Sequence, residues 1–294
     1  MICRLCPRDC GAVREENYGA GHCGMPALPV VARAALHRWE EPPISGSRGS
    51  GTIFFSGCSM GCVFCQNEQI SHRKFGAPVS LPRLRAICEA LAAQGAHNIN
   101  LVNPTHYAHV VRELLEQPLE IPVVWNSGGY DRVETLKTLE GKIDLYLPDL
   151  KYLDSAAAQR YSAAPDYPQI AQAAIQEMVR QTGPYVLEDG ILRRGTVIRH
   201  LILPGRTAQA KQVMDWVAHT FPPGTVLFSL MSQYLPWGRA DQYPEINRTL
   251  RSSERRTCLT YMQNLGLDGF VQAEGAEEAG FIPAFDLTGV QNDN

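Results

Sequence analysis

Three cysteines, Cys58, Cys62 and Cys65, stand in the order C-x3-C-x2-C directly after an apolar, β-rich run from Thr52 to Ser56. Three thiolates on one tight loop leave a four-coordinate metal site one ligand short, so a further ligand must come from outside the loop. An iron–sulfur cluster held in this way keeps one iron open to a small molecule, and closely spaced cysteines are the usual ligands of such clusters. A zinc loop and a thiol cluster that only packs are the alternatives. Zinc more commonly pairs C-x2-4-C with a second pair further along.

A second group, Cys3, Cys6, Cys10 and Cys23, reads C-x2-C-x3-C-x12-C, with Gly11, Gly19, Gly21 and Gly24 allowing tight turns between ligands. Four thiols are a closed set, sufficient for structural zinc or for a fully ligated cluster, and spacing alone does not choose between them. Zinc would staple the first 25 residues to the body of the protein. A cluster would relay electrons or grip substrate. Seven of the nine cysteines fall within the first 65 residues, a crowding that in a reducing compartment means metal binding. Cys88 and Cys258 lie on helical patterns among apolar neighbours and read as small buried hydrophobes.

The chain that must position these groups has 294 residues, 45% of them hydrophobic, enough for one large domain with an appendage. A net charge of −3 without a long basic run argues against a general nucleic-acid binder. No apolar stretch reaches the roughly 20 residues of a membrane span, and the polar first residues do not make a signal peptide. The expected location is therefore cytoplasmic. From residue 52 onward, strand-like runs near Ile53–Ser56, Ile99–Asn103, Val123–Asn126, Asp144–Leu147, Val197–Leu203 and Val226–Met231 alternate with helical patterns near Leu81–Gln94, Tyr107–Glu116, Val133–Leu139, Pro168–Gln181, Ala208–Thr220 and Ser252–Leu265. Such repeats require a parallel sheet, and six of them predict an α/β fold, an open, partial (β/α)6 TIM-like barrel.

Boundaries follow. Residues 1–50 form a cysteine-rich extension and a Pro- and Gly-rich extended connector with a strand or two, 51–272 the barrel core, and 273–294 a tail; after Phe270 the chain is expected to add a short strand and then fray. In the connector, His37 and Trp39 read as packing residues. Glu188-Asp-Gly-Ile-Leu192 predicts a hairpin turn ahead of the fifth strand.

In such barrels the carboxyl ends of the strands build the active site. Each strand here runs into a polar or glycine-bearing group: the cysteine triplet, Asn103-Pro-Thr-His106, Asn126-Ser127-Gly-Gly-Tyr130, Pro148-Asp149-Leu-Lys151, Leu203-Pro-Gly205 and Ser232-Gln-Tyr234. Alternation sends Asp149 and Lys151 to one side, and lets only one of Arg199 and His200 face inward. Pro104 favours an extended entry after Asn103.

The triplet, the aromatic Phe64 before its third cysteine and its place after a first strand resemble the radical S-adenosylmethionine (SAM) superfamily. The Val-Asn-Pro-Thr-His, Trp-Asn-Ser-Gly-Gly-Tyr, Leu-Pro-Asp-Leu-Lys-Tyr, Arg-His-Leu-Ile-Leu-Pro-Gly and Leu-Met-Ser-Gln-Tyr segments, with the amino-terminal cysteines, are similar to its pyruvate formate-lyase activating enzyme-like group of PflX type. The resemblance implies one 4Fe-4S cluster on Cys58, Cys62 and Cys65 whose open iron chelates SAM, with a second iron–sulfur cluster or zinc at Cys3, Cys6, Cys10 and Cys23. It implies reductive cleavage of SAM to a 5′-deoxyadenosyl radical that takes hydrogen from a substrate. That substrate would be a protein or peptide, as for glycyl radical activases, or else another peptide or small molecule, and the reductant a flavodoxin or ferredoxin. It places Phe64 against adenine, Asn67 at ribose or cluster, Arg199 at the SAM carboxylate, and Asp149 and Lys151 beside SAM and the incoming substrate. Asn126 and Ser127 are further candidates for holding SAM. Where the superfamily often shows Gly-Gly-Glu for the SAM amino group, this chain has Asn103 and Thr105 as neutral acceptors. No general acid or base is assigned; Asp149 and Lys151 are the catalytic candidates. A metal-binding or electron-transfer protein that does not turn SAM over is the alternative of another class.

Overall fold

The computed structural model describes residues 1–271 and 283–291. Ten strands are found among them: β1 Val30–His37, β2 Ser50–Phe55, β3 Ala77–Pro78, β4 Ile99–Val102, β5 Val123–Ser127, β6 Leu145–Pro148, β7 Val186–Glu188, β8 Ile191–Leu201, β9 Leu227–Met231 and β10 Gly269–Val271. The sheet runs β10-β9-β8-β6-β5-β4-β2-β1-β3, with β7 hairpinned onto β8, and does not close. From β2 to β10 the strands along this path are parallel, so the six expected repeats are extended by β10 as a short further strand.

Parallel pairing needs long crossovers, and each is helical. The crossover helices span Leu81–Ala93, Ala108–Leu114, Val133–Lys137, Tyr167–Thr182, Thr207–Thr220 and Ser252–Leu265. Helices on one face and a filled lumen on the other explain why β2, β4, β5 and β6 are buried along their whole lengths. Cys88 and Cys258 are buried on their helices, as small hydrophobes would be. In the β7–β8 turn, Asp189 (φ 51°) and Gly190 (φ 75°) give the two left-handed positions that a tight hairpin demands.

The connector holds the strand expected of it and a helix besides. β1 pairs antiparallel to β2, and a short helix, Pro42–Ser45, enters the barrel. Its Ile44 packs among Val124, Leu145, Leu147, Leu192, Val197 and Leu227, sealing the lumen toward the amino ends of the strands. Asn98 donates to the Ile44 carbonyl at 2.8 Å and pins the plug. The open space therefore lies above it, at the carboxyl ends.

Residues 283–291 do not fray. Leu287 N–H donates to Ala32 O at 3.0 Å, Ala34 N–H donates to Thr288 O at 2.9 Å, and Phe285 meets Phe54 edge to face. The remainder of the tail expected at 273–294 lies outside the described residues. Among the described residues no helix is long and apolar enough to cross a membrane.

Candidate functional site

The loop Cys58–Cys65 leaves the end of β2 and is held from behind: Val63 N–H donates to Tyr161 O at 2.9 Å, and Arg239 N–H to Val63 O at 2.7 Å. Each of its three sulfurs accepts a hydrogen bond. Met60 N–H donates to Cys58 Sγ at 3.3 Å, the Ser162 hydroxyl to Cys62 Sγ at 3.0 Å, and the Ser71 hydroxyl to Cys65 Sγ at 3.2 Å. Such donors stabilise thiolates, and they tune the potential of a cluster bound to them. Burial pushes the Cys62 thiol up and the Cys65 thiol to about 12, so metal ligation there must displace protons. This donor set, with every sulfur hydrogen-bonded, fits a three-cysteine cluster.

Cys62, Phe64, Cys65 and Asn67 form one wall of a cavity of about 890 Å³. That is near the upper end of the ~300–1,000 Å³ usual for small-molecule sites. Its depth is charged. Arg199, on β8, donates through Nε to Asp149 Oδ1 at 2.9 Å, through Nη2 to Asn126 Oδ1 at 2.7 Å and through Nη1 to Glu40 Oε2 at 3.3 Å. Lys151 Nζ donates to Asp149 Oδ2 at 2.5 Å. Burial drives the Asp149 pKa upward, but Arg199 and Lys151 outweigh it and hold the carboxyl below its ordinary value. Burial disfavours the Lys151 and Arg199 cations, yet the surrounding carboxylates, Asp149 first, raise both.

Glu41 is the least exposed of these charged side chains. It is 7% exposed, and burial lifts its pKa to about 7 against the pull of Arg199. A carboxyl whose folded pKa is raised contributes stability below its unfolded pKa of 4.5, and that contribution is lost as pH rises toward 7. Glu41→Gln should therefore flatten the fall in melting temperature between pH 5 and pH 8. The variant should gain on the order of 2–3 kcal/mol over wild type at the upper end, measured by thermal unfolding across that range.

Asp149, Lys151, Arg199, Asn126, Phe64 and Asn67 line one cavity. Phe64 is also packed edge-on against Tyr234 and Tyr161, centroids 5.8 and 6.4 Å away. Asn67 caps the turn Glu68–Ser71 by position, with no side-chain capping bond. Both ends of the Asn126 amide are engaged, by Arg199 and by Glu40 at 3.3 Å. His200 turns away, its Nδ1 2.7 Å from Leu150 O.

Asn103, Thr105 and Ser127 do not line the cavity. Asn103 takes a left-handed φ of 60° in place of the extended entry expected before Pro104, and its amide donates to the Gly57 carbonyl just ahead of Cys58. Thr105 and Ser127 donate to buried Asp131 at 2.7 and 2.5 Å, tying two strand ends together. Trp39 is 62% exposed at the cavity mouth where packing was expected, and His37 lies beside Phe54.

Glu40, Glu41 and Asp131 escape a reading of the sequence. The one available signal for the first two is an acidic pair set against Pro42-Pro43, in a segment otherwise free of periodicity.

Cys3, Cys6 and Cys23 are buried, Cys10 is exposed, and none of the four is in a disulfide. Burial pushes Cys6 up to about 12, with Cys23, Cys3 and Cys10 adding to the rise, so the four sit as neighbours. A Cβ at Gly21 would meet Cys10 Sγ at 3.0 Å, so only glycine leaves that sulfur its place. Four clustered thiols fit a metal centre of either kind. Among the described residues, no three Cys, His, Asp or Glu side chains are drawn around a single-ion position. Between Cys6 and Cys10, Arg8 donates to the carbonyls of Ser59 (2.8 Å), Met60 (3.1 Å), Ser162 (3.0 Å) and Ala163 (2.5 Å). The amino-terminal group is thereby fastened to the triplet loop itself. Arg14, 1% exposed, anchors the other side through the carbonyls of Pro26 and His106 and over the Tyr107 ring.

Residues 45–159 match the family described as a 4Fe-4S single cluster domain. A protein of Methanocaldococcus jannaschii, itself described as uncharacterized, is 29% identical over 276 residues, covering 90% of this chain and 75% of that protein. Among solved structures, a point mutant of spore photoproduct lyase superposes with a TM-score of 0.51 at 12% identity, over 81% of this chain and 80% of that one. Methylornithine synthase PylB gives 0.52 at 15% identity, over 75% and 63%. Streptococcus suis SuiB bound to its precursor peptide SuiA gives 0.50 at 14% identity, over 74% of this chain and 47% of SuiB. The chain thus spans about half the length of SuiB. These likenesses establish the shared fold, an open α/β barrel.

Proposed function

We propose that this protein is a radical SAM enzyme: Cys58, Cys62 and Cys65 hold a 4Fe-4S cluster, and the cavity below them holds SAM and the group from which hydrogen is taken. When bound, the cluster and SAM supply one electron and a 5′-deoxyadenosyl radical. The single observation that carries the reading is the union of three hydrogen-bonded sulfurs with the charged cavity whose wall two of them form. The match of residues 45–159 to a 4Fe-4S domain and the sequence resemblance to the superfamily support it.

In this reading Phe64 and Asn67 border the nucleoside, and Lys151 and Arg199, locked by Asp149 and Asn126, present fixed positive charge to a carboxylate. Preorganised charge in a desolvated site costs no reorganisation when the ligand reacts. Residues 1–50 bring two things to the core, the second cysteine group and the pair Glu40–Glu41. The substrate we favour is a protein or peptide, as for an activase, with a flavodoxin or ferredoxin as reductant. The precursor peptide seen with SuiB accords with that class.

We assign the amino-terminal cysteines to a second iron–sulfur cluster, because Arg8 fastens them to the triplet loop. Metal analysis of the anaerobic protein should find more iron than one cluster holds and no zinc. Cys6→Ala should lower the iron content while leaving the triplet cluster in place, read by its electron paramagnetic resonance signal after reduction. Stoichiometric zinc in wild type, lost in Cys6→Ala, would replace the second cluster with a structural zinc site.

A further inference from the structure

The charges around the cavity do not balance. Glu40, Glu41 and Asp149 supply three carboxylates inside it, while Arg199 and Lys151 supply two cations; Arg38, the third cation of the lining, is exposed to solvent. Those cations already have protein partners other than Glu41. Arg199 is committed to Asp149, Asn126 and Glu40, and Lys151 to Asp149. Glu41 is left over. Its Oε2 lies 3.9 Å from Arg199 Nη1, beyond hydrogen-bond reach, and accepts no hydrogen bond among the described residues. The groups that face the carboxyl are Arg199, Glu40 and the buried Ser229 hydroxyl on β9, which is its one side-chain hydrogen-bond donor among the described residues and leaves Oε2 without a partner.

A carboxylate buried without a matched cation costs several kcal/mol, a burden a fold sheds by pairing, by protonation or by a ligand. Arg199 is too far to pair closely. Burial lifts the Glu41 pKa, so protonation relieves part of the burden. The residue is also placed with purpose. It sits one position before the helix whose Ile44 plugs the lumen, so its carboxyl is fixed between that seal and the cavity floor.

We infer that the cavity floor is a subsite for a primary ammonium group of the substrate, held by Glu41 with Glu40 beside it. The inference rests on the radical SAM reading for the meaning of substrate, and it deepens that reading by naming a chemical class. The substrate is an amine, either a small molecule or a peptide whose lysine side chain or amino terminus reaches the floor. An ammonium supplies the missing positive charge and donates to the orphaned oxygen, while Ser229 and Glu40 leave room for its remaining donors.

The test is binding, which does not depend on turnover. The anaerobically reconstituted protein is titrated in a calorimeter with n-butylamine and with the tripeptide Gly-Lys-Gly. Their neutral counterparts, n-butanol and Gly-norleucine-Gly, and SAM itself are titrated in parallel. The expected result is that at least one ammonium probe binds about tenfold or more tightly than its neutral counterpart. Glu41→Gln should erase that preference while keeping SAM affinity within about threefold and folding intact by circular dichroism. Preference for the small amine alone or for the peptide alone identifies the source. Equal binding of charged and neutral probes, absence of binding by every probe, or a preference that survives Glu41→Gln overturns the inference. So does a tenfold loss of SAM affinity in Glu41→Gln, which would give the residue to the sulfonium or amino group of SAM. Cleavage of SAM by a protein with no ammonium preference would sink this inference alone; an ammonium preference without SAM cleavage would sink only the radical reading.

Discussion

Cys62→Ala should abolish 5′-deoxyadenosine formation while leaving the barrel folded. Of the three triplet cysteines, Cys62 is the one classed as buried; it forms the cavity wall and receives the Ser162 hydroxyl at 3.0 Å. Its removal leaves two thiolates on the loop, too few to hold a cluster in the geometry that keeps a single iron open. Product should fall by about a thousandfold or more, equivalent to ~4 kcal/mol of barrier. Structural cost should be small, because Ser162 retains Tyr152, whose hydroxyl lies 3.0 Å away, and Val63 keeps its backbone bonds to Tyr161 and Arg239. The measurement is product by liquid chromatography alongside iron content and a melting curve. Full product from Cys62→Ala would remove the triplet from the chemistry.

Arg199→Met should cost more stability than any other single change in the cavity. The guanidinium is 13% exposed and touches Asp149, Asn126 and Glu40, with Glu41 at 3.9 Å. An apolar chain of similar length leaves three carboxylates facing Lys151 alone. Breaking a buried pair by removing one partner typically costs roughly 3–5 kcal/mol, against a total stability of roughly 5–15 kcal/mol. For a chain of this size that is a fall of roughly 10 °C in melting temperature. The fall in stability from pH 5 to pH 8 that Glu41 causes should also steepen. In wild type, Asp149 has a lowered pKa, so its contribution is present above its unfolded pKa and lost as pH falls through the folded value. Without Arg199 the carboxylates are held upward by burial, and the variant should regain stability on moving from pH 8 to pH 5. Thermal unfolding at both values checks it; an unchanged melting temperature would mean the network is solvated.

Much of this arrangement was legible in the chain. Repeating β and α patterns gave the parallel strands and their crossover helices, because a strand buried on both faces reads as a continuous apolar run. Asp149 and Lys151 share a side by simple alternation, and the same rule lets Arg199 face the cavity while His200 turns to the Leu150 carbonyl. Contacts that join distant segments were not legible. Arg8 meets partners 51 to 155 residues away, and nothing local marks it. Glu40 and Glu41 reach the lumen because the connector doubles back as a plug, and a Pro-rich stretch has no period to betray that. Asn103, Thr105 and Ser127 lie at strand ends as expected. Their side chains turn away because the chain bends there: Asn103 through its left-handed φ, and the other two toward buried Asp131. The helix Ser155–Ser162, which supplies the donor to Cys62, was hidden by its shortness and its low apolar content.

The central claim is that an open iron on Cys58, Cys62 and Cys65 cleaves SAM. It is met most directly by incubating the anaerobically reconstituted wild-type protein with SAM and dithionite and measuring 5′-deoxyadenosine. The account predicts product that requires both cluster and reductant. A fully loaded cluster that yields none would contradict it, and would return the two cysteine groups to electron transfer or metal binding without radical chemistry.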